Sequence, residues 1–267
     1  MKNLILFLFP VIIFAQGENC NYYKMQGDSL NYKACSMLEK LNASPIYQFQ
    51  KEYMEGCDSI IAINPKYSPA YREKSVAYVK SGDFVEWFKL VNDAVKYDPE
   101  GYLGIRAGLK AKFFADYEGA IRDIDSLASI TKFDLGHTHN GDYHLNFVKG
   151  ISYSQLGEKE KAIEIFEKQL SQQDHIMGLY DFYQLGVTYF EIKNYEKAIE
   201  TLIKQLTENE NAETHYYLGQ SYKFLNQSEK YSLHKEKAIE LYRKSVIMRD
   251  SYNEHINKVY LETILNN

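Results

Sequence analysis

Apolar residues recur along this chain at i, i+3, i+4 and i+7, the spacing that lines one face of an α-helix. Phe182, Leu185, Gly186 and Tyr189 form one such set. A short polar turn follows, and then a second apolar face opens at Tyr195, Ala198 and Leu202. The two-helix pattern Tyr183-Gln-Leu-Gly-Val-Thr-Tyr189 with Asn194-Tyr-Glu-Lys-Ala-Ile199 recurs as Phe147–Tyr153 with Lys161–Ile163, and again as Tyr216–Tyr222 with Lys237–Ile239. Two fainter copies precede these, carried by Gly108, Tyr117, Ala120, Ile121 and Ile124, and by Tyr71, Tyr78, Gly82, Ala94 and Pro99. The pattern predicts antiparallel helix pairs stacked in a row, each burying its apolar face on its neighbours.

Small residues and breakers sharpen the prediction. Gly108, Gly150, Gly186 and Gly219 in the first helices, and Ala120, Ala162, Ala198 and Ala238 in the second, lack bulk, so the paired helices can approach closely. Gly82 and Gly157 fall between helices, where a turn favours residues that tolerate positive φ. Asn64-Pro65 and Asp98-Pro99 close pairs, because proline cannot continue a helix. A polar stretch around 131–142 lengthens one interval and predicts a loop. Seven added residues between Gly219 and Ala238 come close to two helical turns, so they can lengthen a helix without rotating its buried face.

Taken together these positions resemble the tetratricopeptide repeat, a helix–turn–helix unit of about 34 residues. The resemblance implies an all-α superhelical solenoid with five repeats, at about 68–100, 101–134, 143–176, 179–211 and 212–250. Two departures stand out. Trp87 occupies a small-residue position and predicts a splayed pair, and Gly104 replaces a large residue. Upstream, 16–67 reads as N-terminal helices with a degenerate repeat. Its first helix spans about 29–41 and ends at Asn42-Ala-Ser-Pro45, and its second contains Tyr53–Ile60. Downstream, Ser251 can cap a last helix over 251–267, with Ile256, Val259, Tyr260 and Ile264 on one face covering the open end of the array.

The start of the chain follows another rule. Lys2, then the apolar run Leu4–Phe14, then Ala15 have the order of a secretory signal peptide, 1–15, cleaved after Ala15. Such a run rises about 16 Å as a helix, too short for a hydrocarbon core of about 30 Å, so no stable membrane span is expected. The Lys start and the Phe-Ala-Gln junction look bacterial, which places the protein in the periplasm or outside the cell. Export permits disulfides among Cys20, Cys35 and Cys57, with one thiol left over and the pair undetermined. Gly17-Glu-Asn19 before Cys20 does not match a lipoprotein box.

Charge and motifs narrow the function. A net charge of −5 without a basic run argues against nucleic acid and against an anionic membrane surface. Phosphate loops, zincin motifs and nucleophile elbows are absent, so the chain is read as no enzyme and no cofactor is expected. His137, His139 and His144, with Asp134 and Asp142, form the one cluster of metal-ligating character; lacking a fixed scaffold, it is expected to be a solvated loop. The family resemblance implies an inner groove lined by Tyr102, Ile105, Phe147, Ile151, Tyr180, Tyr183, Phe190, Tyr216, Gln220 and Lys223. Lys112, His144, Val187 and Glu213 take equivalent positions. Aromatic anchors suit a protein or peptide partner. The competing expectation is that they are core, filled by the next helix or the C-terminal one. The family's Lys/Asn/Arg carboxylate clamp is absent, so binding of a chaperone's C-terminus is not carried over. The function expected is a scaffold for protein–protein contacts in the cell envelope. The alternatives are a solenoid for small molecules or glycans, or an adaptor subunit of an envelope enzyme.

Overall fold

The computed structural model describes residues 19–267, so the expected signal peptide at 1–15 lies outside the described residues. The described residues are all-α and divide into two compact units, 19–97 and 98–267. None of the described helices is long and apolar enough to cross a membrane.

The first unit runs α1 (Cys20–Met25), α2 (Ser29–Asn42), α3 (Lys51–Ile63), α4 (Ser68–Ser81) and α5 (Phe84–Tyr97). Asp28 opens α2 by accepting the N–H of Asn31 at 3.0 Å. A disulfide joins Cys20 to Cys35 and ties the short α1 onto α2, while Cys57 is a buried free thiol that burial pushes up to about 12. Around them Leu38, Ile60, Tyr67 and Ala70 close a small core. The α4–α5 pair is not splayed. Trp87 is fully buried, and the pair packs no more loosely than the regular pairs, keeping small buried residues in Ser75, Ala77 and Ala94. Gly82 takes φ 83° at the turn, as its position requires.

The second unit holds four pairs, α6 (Pro99–Phe114) with α7 (Tyr117–Ile130), α8 (Leu145–Gln155) with α9 (Lys159–Leu170), α10 (Asp181–Glu191) with α11 (Tyr195–Glu208), and α12 (Ala212–Phe224) with α13 (Ser228–Arg243). Each has a local start signal. Asp98 precedes Pro99 and accepts the N–H of Gly101 at 3.0 Å. Asp116, Asn194 and Asn211 cap α7, α11 and α12 in the same way. Buried Asp123 fastens α7 to α6 through Arg106 at 2.7 Å and Lys110 at 2.9 Å.

The small residues work as spacers, but not as symmetric partners. A Cβ on Gly150 would lie 2.5 Å from the Phe166 ring, and one on Gly186 would lie 2.6 Å from Leu202. Each glycine therefore receives a large side chain of the second helix, while Ala162 and Ala198 are buried elsewhere in the same seam. Gly104 has a parallel role between pairs: a Cβ there would meet Leu145, the first residue of α8, at 2.6 Å. Its missing bulk lets the next pair dock.

The C-terminal region departs from expectation. Its helix is α14 (Leu261–Asn266) alone, and 244–260 carries no helix where 251–267 was expected to be helical. Asp250 caps as a helix start would, accepting the N–H groups of Tyr252 and Asn253 at 2.8 and 2.9 Å. Propagation fails because carbonyls farther on are taken by side chains of α10 rather than by a next helical turn. Val259 and Ile264 are still buried, against Ala238 of α13, whereas Tyr260 is exposed.

Candidate functional site: the inner face of the second unit

The first helices of the four pairs, α6, α8, α10 and α12, lie in succession, and 248–258 runs across them. At one end the Met248 side chain is fully buried with Tyr180, Tyr183, Val187, Leu202, Leu218 and Tyr222. Its N–H donates to both carboxylate oxygens of Glu213 at 3.2 and 3.1 Å. Two residues on, Asp250 pairs with Lys112 of α6, which also reaches Asp142 at 3.2 Å. Asn253 donates its side-chain amide to the Lys112 carbonyl. The His255 ring meets Tyr180 edge-on at 4.8 Å. Gln184 donates to the Ile256 carbonyl at 3.2 Å and accepts from the Asn257 amide at 2.9 Å. Tyr183 donates to the Asn257 carbonyl at 2.5 Å, and Gln155 of α8 donates to the Asn257 side chain at 3.4 Å.

The electrostatics follow from burial. Glu213 is wholly buried, and desolvation lifts its carboxyl to about 7 against the pull of the Met248 N–H and the more distant Lys258. Burial also raises Asp250, but the Lys112 ammonium and the two turn N–H groups outweigh it and hold Asp250 below the usual carboxylate range. Burial raises the Tyr183 phenol well above its ordinary value, so it stays a donor.

The residues expected to line a groove therefore divide. Tyr180 and Tyr183 touch the crossing segment directly, Tyr216 packs with Val259 and Ile264, and Ile151 joins a cluster that Ile256 packs against. Gln220 is buried, and Tyr102 and Ile105 are half-buried on α6. Phe147 is core: it is fully buried and stacked on Phe166 with centroids 4.9 Å apart. Phe190 turns to the aromatic group of Tyr195, Tyr217 and Phe224. Lys223 is exposed and donates to a main-chain oxygen of Asn267 at 3.0 Å, beside Tyr231 at 2.5 Å. Sequence reading passed over Gln184, because a single glutamine between apolar neighbours carries no periodic signal. It passed over the crossing segment too, which reads as a helix.

The histidine loop has a structural task. His137 and His144 form an isolated antiparallel bridge, and their rings are 5.2 Å apart. His144 Nδ1 accepts the N–H of Asn146 at 3.0 Å, so Nε2 is the protonated nitrogen and donates to Asp134 at 3.0 Å. Both ring nitrogens are thus engaged within the fold, and burial, opposed by Asp134, lowers the pKa. His137 Nε2 donates to the Ile176 carbonyl at 3.3 Å, and His139 is exposed. Among the described residues, the three imidazoles are not gathered with a further ligand at one point.

Residues 143–174 and 182–211 match the family model of the tetratricopeptide repeat. Over these two stretches the chain matches the tetratricopeptide repeat. These matches cover α8–α9 and α10–α11, the most regular pairs. Solved structures extend the likeness in fold. PilW, titled a widely conserved type IV pilus biogenesis factor, aligns with a TM-score of 0.64 at 13% identity over 89% of this chain and 98% of its own. Pseudomonas aeruginosa pilF aligns with a TM-score of 0.59 at 13% identity, over 83% and 94%. A tetratricopeptide repeat protein of Parabacteroides merdae aligns with a TM-score of 0.51 at 15% identity, over 92% and 96%. Comparison with curated protein sequences finds no match. The repeats and this shared fold support a protein-interaction scaffold.

Proposed function

We propose that the protein binds a peptide or protein segment of a partner across α6, α8, α10 and α12, without catalysis, and does so in the cell envelope. The observation that carries this is the seating of 248–258. A non-helical stretch of chain lies on the inner face, and side chains of that face satisfy its main-chain groups. A surface that grips one non-helical backbone through Glu213, Gln184 and Tyr183 has the chemistry to grip another. The envelope location is supported by the order Lys2, Leu4–Phe14, Ala15 and by the Cys20–Cys35 disulfide, which suits an oxidising compartment.

Site-specific photocrosslinking in the native cell tests this reading. A photoreactive residue at Tyr180 or Tyr216 is expected to yield a partner adduct. The same residue at Ile203, exposed on α11, is expected to yield none. Adducts from Ile203 alone would overturn it.

A further inference from the structure

The crossing segment is held by more than its backbone. Besides Asn253 on the Lys112 carbonyl and His255 on Tyr180, three of its side chains meet receivers that discriminate by chemistry: an apolar pocket for Met248, the Lys112 ammonium for Asp250, and the paired amides of Gln155 and Gln184 for Asn257. Three main-chain groups have receivers as well: the Met248 N–H on Glu213, the Ile256 carbonyl on Gln184 and the Asn257 carbonyl on Tyr183. The backbone contacts would accept any chain that follows the same turns, whereas the side-chain contacts select. Fully burying Met248 demands an unbranched apolar side chain of its length. The Lys112 ammonium faces position 250, so an acid there is attracted and a base is repelled, with Asp142 sharing the same cation. A carboxamide at 257 offers one donor and one acceptor to Gln184 and Gln155, a match an acid or an amine cannot make.

We propose that 248–257 is a resident pseudo-ligand, and that a partner's segment must displace it by presenting the same chemical spacing. That spacing is an unbranched apolar residue, an acid two positions later and a carboxamide seven positions after the acid. The proposal rests on reading the inner face as a peptide groove. A tethered segment acts at an effective concentration of about millimolar, so an equal free segment at micromolar concentration loses by roughly a thousandfold. The groove is therefore closed to weak or mismatched segments, and the tail sets the threshold.

The test uses the full chain and a fluorescent peptide of the sequence 246–259, followed by anisotropy. Wild type is expected to bind it weakly. The Asp250→Lys, Asn257→Ala variant, whose own tail is loosened, is expected to bind about 100-fold more tightly. Asn257→Ala alone serves if the double variant melts early, with a smaller gain of about 10-fold expected. A peptide with lysine at the position of Asp250 should lose about 10-fold on the Asn257→Ala chain, which keeps its own Asp250, and recover that loss when Lys112→Glu is added. Equal binding by wild type and the loosened chains, or indifference to the acid, would overturn the proposal. If the peptide fails while photocrosslinks at Tyr180 still form, the pseudo-ligand is wrong and the groove stands. Adducts from Ile203 alone would instead sink the groove.

Discussion

The pairs α10–α11 and α12–α13 turn in the same way and use their small residues differently. In both, a residue in left-handed backbone sits at the turn, Lys193 at φ 62° and Asn226 at φ 58°. In both, the following N–H returns to the tyrosine near the end of the first helix, Tyr189 or Tyr222, at 2.9 Å. In the first pair, a Cβ on Gly186 would lie 3.5 Å from the N of Leu202, four residues after Ala198. In the second, a Cβ on Gly219 would lie 3.6 Å from the N of Lys235, four residues after Tyr231. Tyr231, not Ala238, thus holds the place of Ala198. The seven added residues displace the alanine by two turns along the same face. There it no longer spaces α12 from α13; it makes room for Val259 and Ile264. A small residue marks a close approach, and what approaches depends on register.

The largest effect is expected from Met248→Ala, which empties a fully buried site in the seam of the last two pairs. It should cost about 2–4 kcal/mol in chemical denaturation, while an exposed tail substitution such as Tyr252→Ala should cost under about 0.5 kcal/mol. Next come the two glycines. Gly186→Ala pushes against Leu202 and is expected to lose about 2 kcal/mol. Gly219→Ala meets nothing nearer than 3.5 Å and should gain up to about 1 kcal/mol from helix propensity. Equal costs at the two sites would refute the register shift.

Glu213 gives a pH signature to the last pair. Its folded pKa is raised from 4.5 to about 7, so its contribution to stability is full below pH 4.5 and is lost as pH rises through 7. Glu213→Gln stays neutral and can still accept the Met248 N–H. Its melting temperature should exceed that of wild type at pH 8, by an equivalent of about 1–3 kcal/mol, and match it at pH 4. An unchanged difference across that range would mean the carboxylate is not buried as described. The smallest effect concerns Ala115, at φ 51° after α6, where glycine relieves a left-handed strain. Ala115→Gly should gain up to about 1 kcal/mol in the same denaturation assay.

Much of this was legible in the sequence. The helix pairs announced themselves through period, caps and turn glycines, signals that are local and repeat. The α4–α5 pair misled because one bulky residue, Trp87, was judged alone, whereas the seam as a whole accommodates it. The tail misled for a related reason. Ser251, Ile256, Val259 and Ile264 have helical spacing, yet 244–260 is held non-helical by partners far away in the chain, Lys112, Tyr183, Gln184 and Glu213. Of the expected groove residues, Tyr180 and Tyr183 lie against the crossing segment, because position within a repeat fixes which way a side chain faces. Phe147 was placed on the same argument, but Phe166 and His175 cover it. No periodic rule could foretell that.

The chain fills its own inner face with 248–257. Hydrogen exchange of the intact protein, read by mass spectrometry on a peptide spanning 246–258, tests it most directly. The Met248 amide, bonded to Glu213, should exchange orders of magnitude more slowly than in an unstructured peptide. It should speed up in Asp250→Lys while α8–α11 stay protected. Exchange of this segment at the unstructured rate in wild type would contradict the account.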